Sequence, residues 1–95
     1  MNLQPAQIIH DFSTVVTADT TGITSACSDI TFDNTGDIDV TINSAYILAA
    51  GKSLSLDCNQ DSIIITAFSI AFTGSQTGTK RVNVIRATKI NNSGL

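Results

Sequence analysis

Hydrophobic and polar residues alternate along most of this chain, most clearly between positions 30 and 56. Ile30 and Phe32 alternate with polar neighbours, and Ile38, Val40 and Ile42 do so again after a turn. Residues typical of turns, chiefly Asn, Asp, Ser and Gly, interrupt the pattern at 33–37, 43–44 and 49–52. Alternation with period 2, broken by such residues, is typical of half-buried antiparallel strands. We therefore predict four short strands in this central block.

The same pattern predicts further strands on both sides of the central block. They are 7–18 with Ile8, Phe12 and Val16 in the core, a short strand at Ile23 within a polar loop 19–28, 62–72, and 80–90 with Val82, Val84 and Ile85. The segment 62–72 has the strongest signal. It opens with the apolar run 63–65 and ends with Phe68, Ile70 and Phe72, which we expect to anchor the core. A run that is apolar on both faces predicts a central strand covered on both sides.

Seven or eight short strands separated by turns predict an all-β fold. We expect a small antiparallel β-sandwich, either Ig-like or jelly-roll-like, since the sequence does not choose between these topologies. In this interpretation the block 30–56 forms one half of the sandwich and 62–90 the other. Residues 1–6 are expected to be an N-terminal arm, 7–90 a single domain and 91–95 a C-terminal tail.

The composition supports strands and points to an uncharged surface. The chain has 95 residues, with 13 Ile, 13 Thr, 10 Ser, 7 Asn and no Glu or Trp. Branching at Cβ suits strands and disfavours helices. Charged residues are only 14% of the chain, against about a quarter in a typical domain. A domain this small gains stability by joining an assembly.

The net charge of −3 is unevenly distributed. Positions 11–61 hold all eight Asp and only Lys52 as a base, a net charge of −7, while Lys80, Arg81, Arg86 and Lys89 carry +4. This asymmetry would let a basic edge of one copy meet an acidic edge of another. The alternative is that the two charged regions are simply solvated faces of one domain.

No cluster of residues predicts a catalytic, metal or cofactor site. His10 is the only His, and no nucleophile elbow or phosphate-binding loop is present. Asp33, Asp37 and Asp39 surround Gly36, but their spacing is not that of a calcium loop, and Asp favours turns for local reasons. We therefore predict a protein that is not an enzyme and that needs no metal or cofactor.

The two cysteines, Cys27 and Cys58, allow two interpretations. They are either a disulfide or buried thiols that pack as small hydrophobic side chains, and the sequence leaves both open.

Several partners and locations are not expected. Lys80, Arg81, Arg86 and Lys89 lack the stacking aromatic neighbours of a nucleic-acid surface, and the net charge is negative. The longest apolar run is three residues, so no membrane span is expected, and the N-terminus lacks the pattern of a signal peptide. We expect synthesis in a cytoplasm and no binding to nucleic acid or membrane.

A family resemblance begins at the central block. The matching segments are Asn34-Thr35-Gly36, Val40-Thr41-Ile42, Gly51-Lys52-Ser53-Leu54-Ser55, Phe68-Ser69-Ile70-Ala71-Phe72 and Val82-Asn83-Val84-Ile85-Arg86. This order of turns and strands over 30–88 resembles small structural proteins of tailed bacteriophages. The resemblance implies a virion building block made in the host cytoplasm, such as an auxiliary or decoration capsid protein. It carries no catalytic residues.

That interpretation predicts contacts with other virion proteins, the major capsid protein above all, and many copies or a homo-oligomer. The predicted interface residues are Gln7, Ile9, Asp11, Lys80, Arg81, Arg86 and Lys89. Two alternatives remain: a tail, neck or fibre component, or a small carbohydrate-binding module in which Tyr46 stacks on a sugar.

Overall fold

The computed structural model describes residues 7–57 and 63–90, and within them the side chains of 14–57 and 63–88. Eight strands form this part of the chain: Gln7–Val16 (β1), Thr20–Ile23 (β2), Asp29–Asn34 (β3), Val40–Ile42 (β4), Tyr46–Leu48 (β5), Ser53–Asp57 (β6), Phe68–Phe72 (β7) and Val82–Ile90 (β8). The described residues contain no helix. The predicted all-β fold is confirmed.

The strands form two four-stranded sheets in which every neighbouring pair is antiparallel. Sheet 1 has the order β1-β8-β3-β6, and sheet 2 has the order β2-β7-β4-β5. The chain changes sheet at every connection except the β4–β5 hairpin. This is the strand order of an eight-stranded jelly roll. The structure thus decides between the two topologies that the sequence left open.

The core lies between the two sheets and follows the alternation of the sequence. In β3 and β7 every second side chain is buried, and the rings of Phe32 and Phe68 meet edge to face with centroids 5.0 Å apart. Contacts of this geometry add to the free energy of burial. Phe68, Ile70 and Phe72 are all buried, so the predicted core anchors are confirmed. Val82 and Val84 are buried as predicted, whereas Ile85 points outward and is only half-buried.

The division of the sandwich into the halves 30–56 and 62–90 is wrong. The central block supplies β3 and β6 to sheet 1 and β4 and β5 to sheet 2, and the later strands are divided in the same way. The reason is that strands adjacent in the sequence mostly cross between the sheets.

The strand predicted over 62–72 is also wrong in its first half. Only Phe68–Phe72 is a strand, and it is covered on one face, although it does lie inside its sheet. Ile64 makes an isolated bridge to Cys27, while Ile63 is 64% and Ile65 85% exposed. The hydroxyl of Ser25 lies 2.7 Å from the carbonyl oxygen of Ile64, which helps hold this segment in an irregular path across one end of the sandwich.

The connections meet at the two ends of the sandwich. The connections at 17–19, 35–39, 49–52 and 73–81 share one end, called here the top, and the connections 24–28 and 43–45 share the other end, the bottom, with residues 63–67. At the bottom, Asn43 and Ser44 have positive φ, and the Ala45 N–H donates to the Ile42 carbonyl at 3.1 Å. This is the pattern of a type I′ turn, which matches the twist of a hairpin.

Candidate interaction surface

The predicted interface residues separate into two groups. Gln7, Ile9, Asp11, Arg86 and Lys89 share the paired strands β1 and β8, where Asp11 pairs with Arg86 and Ile8 with Lys89. Lys80 and Arg81 instead precede β8 at the top, roughly 25 Å from Lys89 along an extended strand. The structure therefore brings five of the seven residues together. The side chains of Gln7, Ile9, Asp11 and Lys89 lie outside the described residues, as does that of His10.

The β1–β8 pair extends past the rest of sheet 1. β3 pairs with β8 only as far as Ala87, while β8 continues to Ile90 opposite Gln7. A two-stranded ribbon has little stability of its own in water. The last three residues of β8 therefore form an extension whose second edge has no strand partner among the described residues.

Arg86 stabilises the bottom of the sandwich through hydrogen bonds to other parts of the same chain. Its Nε donates to the Thr24 carbonyl at 2.8 Å, and its Nη1 donates to the Thr14 hydroxyl at 3.3 Å. The guanidinium thereby connects β8 with β1 and with the β2–β3 connection. These bonds give Arg86 a structural role.

Lys80 and Arg81 are exposed at the top. The Lys80 Nζ lies 5.8 Å from the centroid of the Phe72 ring, within the range of a cation–π contact. The Arg81 carbonyl accepts the N–H groups of Thr35 and Gly36, each at 3.1 Å. Arg81 therefore anchors the β3–β4 turn through its backbone and leaves its side chain at the surface.

Asn34 joins three parts of the top end. Its side chain is fully buried, and its Nδ2 donates to the carbonyls of Ile38 at 2.8 Å and Leu48 at 3.1 Å. Its Oδ1 accepts the Gly36 N–H at 3.2 Å. Buried amides are tolerated only when their hydrogen bonds are made. The sequence predicts Asn34 as a turn residue and misses this role.

Asp39 links two further top connections. Its carboxylate accepts the Ala50 N–H at 2.9 Å and the Gln76 amide at 3.0 Å, and its own N–H donates to the Gln76 side-chain oxygen at 2.7 Å. The bond from Ala50, followed by that from Gln76, holds the pKa of Asp39 below its ordinary value.

The three turn carboxylates do not converge on a cation site. Asp37 accepts the Thr79 N–H at 3.0 Å, and Asp39 is engaged as described. Within residues 7–57 and 63–90, no three His, Cys, Asp or Glu side chains are placed to bind a metal. Cys27 is buried, and Cys58 lies outside the described residues, so the disulfide and the buried thiols both stay open as interpretations. No helix in the described part of the chain is long and apolar enough to cross a membrane.

The outer face of sheet 2 is uncharged. Thr41 pairs with Ala71 on one side and with Ile47 on the other, and these side chains point away from the core together with Ser69. Ile47 is 69% exposed on the edge strand β5. An uncharged face can be covered by a partner without removing charges from water. The sequence prediction did not identify Ile47 as an exposed residue. In a strand, however, Ile47 points to the face opposite that of its two neighbours, which places it outward.

Comparison with models of protein families, with curated proteins and with solved structures finds no match to this chain.

Proposed function

We propose that this chain is a non-enzymatic structural protein of a bacteriophage virion, an auxiliary or decoration protein that binds the capsid surface. Its partners are the major capsid protein and further copies of itself. The jelly-roll strand order, combined with the uncharged outer face of sheet 2, carries this proposal. Jelly rolls build many viral capsid proteins. A small domain gains stability when an assembly covers its apolar surface.

The test is to locate the chain in particles from its source. Mass spectrometry of purified particles should detect it in many copies, and a cryo-electron microscopy map should show an eight-stranded jelly roll on the outside of the capsid. Density of this shape in the tail, neck or fibres would replace the decoration role with that alternative. Absence of the chain from particles would overturn the proposal.

A carbohydrate-binding module is the second candidate, because lectins also use jelly rolls and Tyr46 is 49% exposed. A glycan array tests it directly. Binding that is lost in Tyr46→Ala would support this function, and an array without hits would reject it.

A further inference from the structure

The strand β6 is an open edge of sheet 1 with a regular backbone. Its residues pair with β3 from Ser53 to Asp57 without a register shift, and no strand lies on its other side within the described part of the chain. The other three edge strands are interrupted or short, because the register shifts in β1 and β2 and β5 has only three residues. Bulges, short length, Lys and Pro protect sheet edges from pairing with another chain. β6 has no bulge, Lys or Pro, so it is the edge best suited to add a strand.

The hydrogen-bonding pattern of β6 decides which of its backbone groups face the open edge. The Asn34 N–H donates to the Lys52 carbonyl at 2.9 Å, and in an antiparallel pair every second residue bonds to the neighbouring strand. Leu54 and Leu56 therefore bond to β3. The residues that alternate with them direct their N–H and C=O groups away from β3, namely Ser53, Ser55 and Asp57.

The core is less well covered along the β5 and β6 edges than along the β1 and β2 edges. Leu56 and Tyr46 pair with buried residues and point to the inner side of their sheets, yet they are 36% and 49% exposed. On the opposite side, the inward-facing Val16 and Ile23 are buried. A strand added to β6 would cover apolar surface that the chain itself leaves in contact with water.

The two ends of β6 carry opposite charges. Lys52 immediately precedes the strand and Asp57 ends it, and both side chains are exposed. Asp57 also stands directly opposite Asp29 of β3, so two carboxylates lie side by side on the outer face of sheet 1. Like charges in such a pair repel each other. The Asp57 end of β6 therefore favours a nearby cation, and the Lys52 end a nearby anion.

We propose that β6 of one copy pairs antiparallel with β6 of a second copy around a two-fold axis at Ser55. Ser55 then stands opposite Ser55 of the second copy, and Ser53 stands opposite Asp57. In this register every outward-facing N–H and C=O group of the strand gains a partner. Main-chain hydrogen bonds of this kind hold added strands on open sheet edges.

The side chains agree with the same register. Leu54 meets Leu56 of the second copy on the inner face, where these leucines extend the core. Lys52 lies in the connection before β6, so its long side chain is free of the strand alternation and reaches Asp57 of the second copy. A parallel pairing would instead place Asp57 beside Asp57.

The contact closes with two copies, because the same surface is used on both. Sheet 1 becomes continuous across the dimer, and the outer face of sheet 2 stays open in each copy for other partners. The inference rests on the proposed structural role, in which copies of the chain bind each other, and deepens it by naming the strand and the symmetry.

Sedimentation velocity over a concentration series tests the dimer. The unaltered protein should form dimers as its concentration rises. Ser55→Pro removes an N–H that faces the open edge, a position where a strand tolerates Pro, and should weaken dimerisation at least about tenfold. Ser55→Ala is the matched control, since it shortens the same side chain but keeps the N–H, and should dimerise like the unaltered protein. Circular dichroism verifies that each variant is folded.

Charge reversal tests the register without changing the backbone. Lys52→Asp alone and Asp57→Lys alone each bring like charges together and should weaken dimerisation about tenfold. An equimolar mixture of the two variants restores opposite charges at both ends and should dimerise like the unaltered protein. Lys80→Asp, which reverses an exposed charge away from β6, is the control and should leave dimerisation unchanged. A mixture that associates no better than its components would overturn the proposed register.

Hydrogen exchange followed by NMR locates the contact. The amides of Ser55 and Asp57 should exchange more slowly as the concentration rises, whereas the amide of Thr77 in the exposed connection 73–81 should not change. Exchange at Ser55 that is independent of concentration would overturn the proposal, as would a protein that is monomeric up to its solubility limit. None of these measurements uses particles, so the dimer and the virion role can fail independently.

Discussion

Asn34 shows how one residue can be both a turn former and a core residue. It ends β3 with the same parity as Ile30 and Phe32, so its side chain points between the sheets. Three side-chain hydrogen bonds then join the β3–β4 turn to β5. The sequence prediction placed Asn34 in a turn, although its parity with Phe32 agrees with this inward position. The carbonyls that satisfy its amide come from Ile38 and Leu48, and only the folded chain brings them there.

Asn34→Ala should therefore destabilise the domain strongly. The change removes three bonds and leaves two carbonyls of the top end without their donor, at a cost of about 2–4 kcal/mol. Urea denaturation measures the loss. The control is Thr35→Ala, which shortens the exposed side chain of the neighbouring residue. It should change the free energy of unfolding by less than about 0.5 kcal/mol. Equal effects of the two variants would contradict the role given to Asn34.

Gly36 is required because two backbone segments pass close together. A Cβ atom at this position would lie 2.7 Å from the Arg81 nitrogen and closer still to the Thr79 carbonyl oxygen. Both neighbours are backbone atoms that cannot move independently of the β7–β8 connection.

Gly36→Ala should accordingly separate the β3–β4 turn from residues 79–81 and lower the free energy of unfolding by about 1–3 kcal/mol. Gly74→Ala provides the matched control, since a Cβ at Gly74 meets no atom within 4 Å. Thermal melting of both variants measures the difference. A Gly36→Ala protein with the same melting temperature as the unaltered chain would show that the turn does not need this close approach.

At the scale of elements, hydrogen bonds from side chains hold the top connections in place. Asp39 joins the connections 49–52 and 73–81. Asp19, which lies in the β1–β2 connection, accepts the N–H of Phe72 at 2.9 Å. Two of the three carboxylates considered for a cation site, those of Asp37 and Asp39, therefore serve as acceptors for backbone N–H groups of neighbouring connections. Sequence spacing does not reveal this, because the donors lie 11 to 53 residues away.

The lowered pKa of Asp39 predicts how stability depends on pH. The ionised form is favoured in the folded state, so its contribution is fully present above the unfolded pKa near 3.8. It is lost as pH falls through the lower folded pKa. The difference in unfolding free energy between the unaltered protein and Asp39→Asn should be constant near neutrality and should shrink below about pH 4.

Asp33→Asn controls for the loss of one charge, since the Asp33 carboxylate accepts no hydrogen bond from a described residue. Its difference from the unaltered protein should be small at neutral pH. An Asp39→Asn difference that does not change down to pH 2 would contradict the pKa shift.

At the scale of the whole molecule, the two ends of the sandwich have different characters. The top carries Asp19, Asp37 and Asp39 in hydrogen bonds, together with exposed Lys80 and Arg81. The bottom exposes Ile63 and Ile65 and gives rise to the β1–β8 extension. Both terminal segments, 1–6 and 91–95, join the extension at Gln7 and Ile90, which pair with each other.

Deleting residues 1–6 tests the predicted arm. We expect the shortened chain to fold, because β1 begins at Gln7, and to bind particles more weakly than the full chain. Co-sedimentation with particles stripped of the protein measures binding, and circular dichroism checks folding. Unchanged binding would reject the arm as an interface and would leave the sandwich surfaces as the remaining contacts.

The sequence by itself determined the all-β class, most strand positions and the buried face of β3, β4 and β7. These follow from period-2 alternation, which reports the side on which each residue lies. Alternation does not report which strand pairs with which, so the division between the sheets and the choice of a jelly roll came only from the tertiary structure. The same holds for the exposed 63–65 run and the bonding of Asn34. Each depends on groups distant in the sequence, whose meeting is decided by how the strands cross between sheets.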